Sequence, residues 1–198
     1  MAAFIERTIR TGAAAAIVAL LALLAVAAEA PAAGSGAQGG VSSSPAVEPT
    51  APPVSTGRQV FPIRGAYEFW DGFGAGRNHQ GADVGATCGT PLVAVAAARV
   101  RMSKFHARAG NYAVLDLKGS ELDLVYAHMV EPALVPAGTA VAAGQTIGYV
   151  GDTGNASGCH LHFELWEGAY YGGGAAIDPM PFLESLDRER KRLRRRAG

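Results

Sequence analysis

The sequence predicts an all-β, strand-dominated domain over residues 58–183, and three observations carry that reading. Short apolar runs, several alternating with a period of two, recur along this stretch. They are separated by turns rich in glycine, of which the chain has 26, the residue that enters tight-turn conformations without steric penalty. No long amphipathic helical pattern is visible between 58 and 183. Leu92-Val93-Ala94-Val95 is the first strand in order. Residues 112–117 and 122–126 are the next two, flanking Lys118-Gly119-Ser120-Glu121, a hairpin turn. Residues 146–150 and 160–166 complete the set. Alternate residues of a strand share a face, so His160 and His162 address one site while Leu161 and Phe163 face the packed side.

The flanks read differently. Residues 1–30 are a signal peptide or membrane anchor. Arg7 and Arg10 precede an uncharged Ala/Leu-rich run over residues 11–28, which is followed by small residues. Both Ala25-Val26-Ala27 and Ala28-Glu29-Ala30 fit a small-x-small cleavage pattern, while the length of the run also reaches the lower limit of a membrane span. On either reading the domain is exported, to the extracellular space or the cell envelope. Residues 31–57 form a Pro/Ala/Gly/Ser-rich linker too poor in large apolar groups to offset its ordering entropy.

Residues 184–198 form a basic tail with seven of the seventeen Lys and Arg against three acids, which leaves ten bases and fourteen acids in the preceding chain. A mildly acidic domain without a basic stripe argues against nucleic acid as a partner. The tail is expected to be solvated. Its functional alternative is contact with an anionic wall polymer or lipid headgroups.

Four of the five histidines are His79, His128, His160 and His162, and Asp83 follows His79 by four residues. Catalytic zinc takes three protein ligands from His, Asp, Glu or Cys and leaves a position for water; two His and one Asp meet that count. His79 and Asp83 lie among Gly74, Gly76, Gly81 and Gly85, a loop or strand-end setting rather than a helix. Taken alone, His-x-x-x-Asp reads as a solvated loop pair. His-x-His on a strand is more specific, and the combination with Tyr126-Ala127-His128 is stronger again. His106 has no motif partner and reads as an ordinary surface or turn residue.

The blocks Arg77-Asn78-His79-Gln80-Gly81-Ala82-Asp83, Gly110-Asn111-Tyr112, Tyr126-Ala127-His128-Met129 and Ser157-Gly158-Cys159-His160-Leu161-His162-Phe163-Glu164 occur in an order that resembles the lysostaphin/LytM-type zinc metalloendopeptidases of bacterial peptidoglycan. The resemblance covers residues 58–183. It implies a compact β-sandwich-like duplicated hybrid motif with the site in an open groove. It also implies one Zn2+ held by His79, Asp83 and His162, with His128 and His160 as catalytic residues beside the attacking water, and peptidoglycan as substrate. Glu164 falls on the same strand face as His162, where a place behind the ligand or on the surface is at least as strong a reading as direct catalysis. Asn111, Tyr112 and Tyr126 are candidates to line the groove, half-buried packing being the alternative for the tyrosines. A catalytically silent wall-binding or hydrolase-activating relative is the competing function, and retention of all five site residues disfavours it.

Cys159 stands where the family commonly has proline. Cys88 and Cys159 are the only cysteines, an even number in an exported domain, and are expected to form a disulfide. The competing role of Cys159 as a zinc ligand would close the position that water needs.

Overall fold

The structure, a computed structural model, describes residues 57–76 and 78–198. The signal or anchor over residues 1–30 and all of the linker but Gly57 lie outside the described residues. Among those described, no helix is long and apolar enough to cross a membrane.

Ten strands and one helix follow in order: β1 Glu68–Phe69, β2 Ala82–Gly85, β3 Pro91–Val93, β4 Ala98–His106, β5 Gly110–Leu117, β6 Leu122–Met129, β7 Ala140–Val141, β8 Thr146–Tyr149, β9 His160–Glu167, β10 Ala175–Ile177 and α1 Met180–Ala197. The main sheet runs β1-β2-β9-β6-β5-β4-β7, with β10 also pairing with β9, and β3 and β8 form a two-stranded sheet. Every pairing between these strands is antiparallel. The domain is all-β up to its C-terminal helix.

Period-two alternation fixes which face is buried. Leu161, Phe163 and Leu165 of β9, Leu124 and Tyr126 of β6 and Leu115 and Leu117 of β5 point into one core, where they meet Leu92 of β3 and Ile147 of β8. The rings of Tyr126 and Phe163 cross edge-to-face at 5.3 Å, a favoured aromatic geometry. The opposite face of β9 carries His160, His162, Glu164 and Trp166, so the functional side chains and the core side chains alternate along a single strand.

The boundary expected at 183–184 is corrected by α1, which runs straight through it. Leu183 and Leu186 are buried in the core. Arg190 donates to the carbonyls of Ile63 at 3.1 Å and Gly65 at 2.7 Å, and its guanidinium lies 5.0 Å from the centroid of the Tyr67 ring. The first turns of the helix are therefore part of the domain. Only the distal turns, bearing Arg192 and Arg194–Arg196, match the expected solvated tail. Met180, Phe182, Leu183 and Leu186 fill only the first two turns before the charge run, too short a stripe to announce a helix of this length.

Candidate active site

Strand register assembles the site. On β9, His162 pairs with Asp83 of β2 on one side and with Ala127 of β6 on the other, which brings His128 at the end of β6 alongside. The loop before β2 turns through Asn78 in the left-handed region, φ 55°, and carries His79 over Asp83. His79 Nε2 lies 3.2 Å from Asp83 Oδ1 and 3.0 Å from His162 Nδ1, and His162 Nδ1 lies 2.9 Å from Asp83 Oδ1.

The second nitrogen of each ring also faces an oxygen, and the tautomer that donates there leaves the first nitrogen to bind metal. His79 Nδ1–H donates to the Gly72 carbonyl at 2.9 Å, and His162 Nε2–H donates to Glu164 Oε1 at 3.0 Å. In the neutral rings the lone pairs of His79 Nε2 and His162 Nδ1 then point at each other and at a carboxylate oxygen, a convergence that a cation resolves. Tetrahedral zinc bonds of about 2.0–2.1 Å place ligand atoms about 3.3 Å apart, close to the three observed separations. Zinc fits this donor set. Gly81 makes room for it: a Cβ there would meet the His162 ring at 2.8 Å and the Phe163 carbonyl at 2.6 Å.

His128 and His160 stand on the other side, their ring centroids 4.6 Å apart. His128 Nδ1–H donates to the Thr153 carbonyl and His160 Nδ1–H to the Gly158 carbonyl, each at 2.8 Å. Both Nε2 atoms are left as acceptors. His160 Nε2 lies 3.6 Å from Asp83 Oδ1, at the edge of the metal cluster. The His128 backbone is left-handed, φ 59°, a conformation rare outside glycine and concentrated at functional sites. Burial, only partly countered by the Thr153 bond, pushes its pKa down to about 4, so it is neutral at pH 7. Burial also disfavours charge on His162, but its bonds to Asp83 and Glu164 reverse the sign and lift the metal-free ring to about 9. Burial raises the Asp83 carboxyl, and the His162 bond and the surrounding imidazoles outweigh it, lowering the net value.

The pattern of peptidase family M23 matches residues 77–179, just over half of the chain. The chain belongs to peptidase family M23. It is 39% identical over 87 residues to the peptidoglycan DD-endopeptidase ShyA of Vibrio cholerae, covering 44% of this chain and 20% of ShyA. It is 34% identical over 119 residues to the glycyl-glycine endopeptidase ALE-1 of Staphylococcus capitis, covering 56% of this chain and 30% of ALE-1. The chain thus spans less than a third of the length of either relative. Among solved structures, the catalytic domain of lysostaphin from Staphylococcus simulans matches with a TM-score of 0.55 at 30% identity, covering 60% of this chain and 92% of that one. A zinc-containing peptidase from Vibrio cholerae matches with a TM-score of 0.52 at 29% identity, covering 62% of this chain and 40% of that one.

Around the centre of this M23 domain, several residues take places that the sequence did not disclose. Glu164 bridges two groups: Oε1 accepts from His162, and Oε2 accepts from Trp166 Nε1–H at 2.6 Å. The expectation that Tyr126 lines the groove is corrected. Tyr126 is fully buried, its hydroxyl donating to the Val93 carbonyl and accepting from the Val95 N–H, so no face is left for a substrate. Asn111 donates through Nδ2 to the Met129 and Val130 carbonyls, bracing the turn that follows His128. Thr153 joins it there, with Oγ1 donating to the Met129 carbonyl and accepting the Asn111 N–H.

Tyr112 is half-buried on the outer sheet face, 6.2 Å from the Tyr170 ring. Trp70, which no motif marks, lies 5.5 Å from the His160 ring and is 45% exposed. His106 is exposed at the end of β4 and lies outside the cluster. Cys88 and Cys159 lie against each other, their Cα atoms 5.3 Å apart, within the range a disulfide spans.

Proposed function

We propose that this M23 domain is a zinc-dependent endopeptidase that hydrolyses peptide bonds of bacterial peptidoglycan, in the stem peptide or crossbridge, during wall remodelling or division. One observation carries the reading: three metal donors converge within 3.2 Å of one another beside two imidazoles whose Nε2 atoms are free. Zinc held by His79, Asp83 and His162 supplies polarisation of the scissile carbonyl and acidification of water.

The other steps belong to the chain. His128 Nε2, unprotonated at neutral pH, takes a proton from the attacking water as the new C–O bond forms. His160, held by the Gly158 carbonyl so that its Nε2 faces the cluster, accepts a hydrogen bond from the attacking water and orients it. When the C–N bond breaks, the proton taken by His128 passes to the leaving amine. A silent relative is disfavoured because each of these five side chains is present in a working orientation.

The same reading places the domain outside the cytoplasm, exported by residues 1–30 and either released or held by residues 11–28. There Cys88 and Cys159 are oxidised to a disulfide, which ties the turn after β2 to the residue preceding His160. The exposed basic face of α1, bearing Arg188, Lys191, Arg192, Arg195 and Arg196, contacts an anionic wall polymer or lipid headgroups. Truncation at 188 would remove the Arg190 bonds to Ile63 and Gly65, so charge reversal at Arg195 and Arg196 is the cleaner probe of that contact; sedimentation with walls or vesicles that ignores the reversal removes it.

The endopeptidase reading is tested by mass spectrometry of fragments released from purified peptidoglycan by the zinc-loaded protein. New amino termini are expected, lost on chelation and restored by zinc. A fully loaded protein that releases nothing overturns the reading.

A further inference from the structure

The site face of β9 does not end at Glu164. By the same alternation Trp166 follows, about 14 Å from His162 at roughly 3.4 Å per residue, and with Val114 and Val125 it forms a small apolar cluster on the outer face of the sheet, apart from the main core. The connection from β9 to β10 folds back over it. Tyr170, anchored by its N–H to Asp123 Oδ2 at 2.8 Å, lays its ring 5.0 Å from Trp166 and toward Tyr112. Burial and the nearby Glu164 carboxylate raise its phenol pKa, so it stays neutral beside the base of the metal site.

Tyr171 is the unusual member. It is 69% exposed, its backbone is left-handed at φ 47°, and its ring still packs 4.8 Å from Trp166 and 4.7 Å from Tyr170. Its hydroxyl donates to Gln80 Oε1 at 3.1 Å, and Gln80 is the neighbour of His79. A non-glycine residue persists in such a conformation only where its surroundings over-determine it. Here they hold a large ring in water, spanning from the Trp166 cluster to the loop that carries a metal donor.

On the reading of this domain as an endopeptidase, we propose that the exposed ring of Tyr171, braced by Tyr170 and the buried Trp166, forms a side-chain subsite on one side of the scissile bond for a lysine-like arm of the substrate peptide. The methylenes lie along the ring faces. The terminal ammonium meets the exposed face of the Tyr171 ring, a contact that attracts an alkylammonium group. A peptide extended along the groove advances at the same rise as β9, so the distance from His162 to Trp166 corresponds to a few substrate residues.

The test uses the zinc-loaded full chain and synthetic peptides built around a bond that it cleaves in purified peptidoglycan, each flanking position carrying lysine or alanine in turn. At one position lysine is expected to raise kcat/KM roughly fivefold, mainly through KM. Tyr171→Ala should bring that ratio to within about twofold, while Tyr171→Phe, which keeps the ring and loses only the Gln80 bond, should retain most of it. Equal hydrolysis of the lysine and alanine peptides at every position overturns the subsite and leaves the endopeptidase reading standing. So does a preference that survives in Tyr171→Ala. A loaded protein that cleaves neither peptidoglycan nor any peptide overturns both.

Discussion

His162 on one side of the site and His128 on the other share a tactic and differ in the charge of the partner. In both rings one nitrogen donates to an oxygen behind it, Glu164 Oε1 for His162 and the Thr153 carbonyl for His128. His162 leans on two carboxylates, Asp83 and Glu164, and becomes more basic. His128 leans on a neutral carbonyl in a buried setting, and burial wins, leaving it at about 4. Burial and the backing oxygen thus separate His162, whose basicity is raised, from His128, which is left unprotonated at neutral pH.

The sharpest way to break this contrast is to delete one ring from each side. His162→Ala removes a donor from the set of three, and both bound zinc and peptidoglycan hydrolysis are expected to fall to background. His128→Ala should keep its zinc while hydrolysis falls about 100- to 10,000-fold, the range of a lost general base. Metal content by elemental analysis and release of amino groups read the two effects separately. Loss of zinc from His128→Ala would erase the distinction.

Much of this contrast was legible in the residues. The His-x-His alternation on β9 and the five expected strands follow from period-two patterning, because a strand with one face in a core must alternate. What was not legible is everything that depends on register and on carbonyls. Asp83 meets His162 only because β2 pairs with β9, and no local pattern marks Gly72, Thr153 or Gly158 as the acceptors that fix the tautomers. β4 was missed because its outward residues include Arg99, Arg101 and Lys104 and its second half is largely exposed, so it lacks the apolar run that reveals a strand. Tyr126 was misplaced because its two backbone partners come from residues 93 and 95, more than thirty positions away.

A smaller perturbation sharpens the contrast without emptying the site. Glu164→Gln keeps an oxygen able to accept His162 Nε2–H and removes the charge behind it. Zinc affinity, measured by competition with a chelator, is expected to fall about 10- to 100-fold, as when a partner behind a ligating histidine is lost. Hydrolysis at saturating zinc should change far less. An unchanged affinity would mean that Asp83 alone sets the basicity of His162.

The smallest effect is a proton count. The metal-free His162 ring sits at about 9, above its ordinary value near 6.5. Its contribution to the stability of the metal-free protein is therefore complete below about pH 6.5 and is lost as pH rises through about 9. Zinc has the opposite preference, because it needs the unprotonated ring. Binding at pH 7.5 should release about one proton, and affinity should climb about tenfold per pH unit until it levels near 9. Calorimetry in two buffers of different ionisation enthalpy gives the count directly. The same count is expected in His128→Ala, since His128 is already neutral at this pH, whereas Glu164→Gln should release less because its His162 begins less protonated. A release that fell with His128 and not with Glu164 would assign the proton to the wrong side of the site and reverse the division of labour between the two pairs.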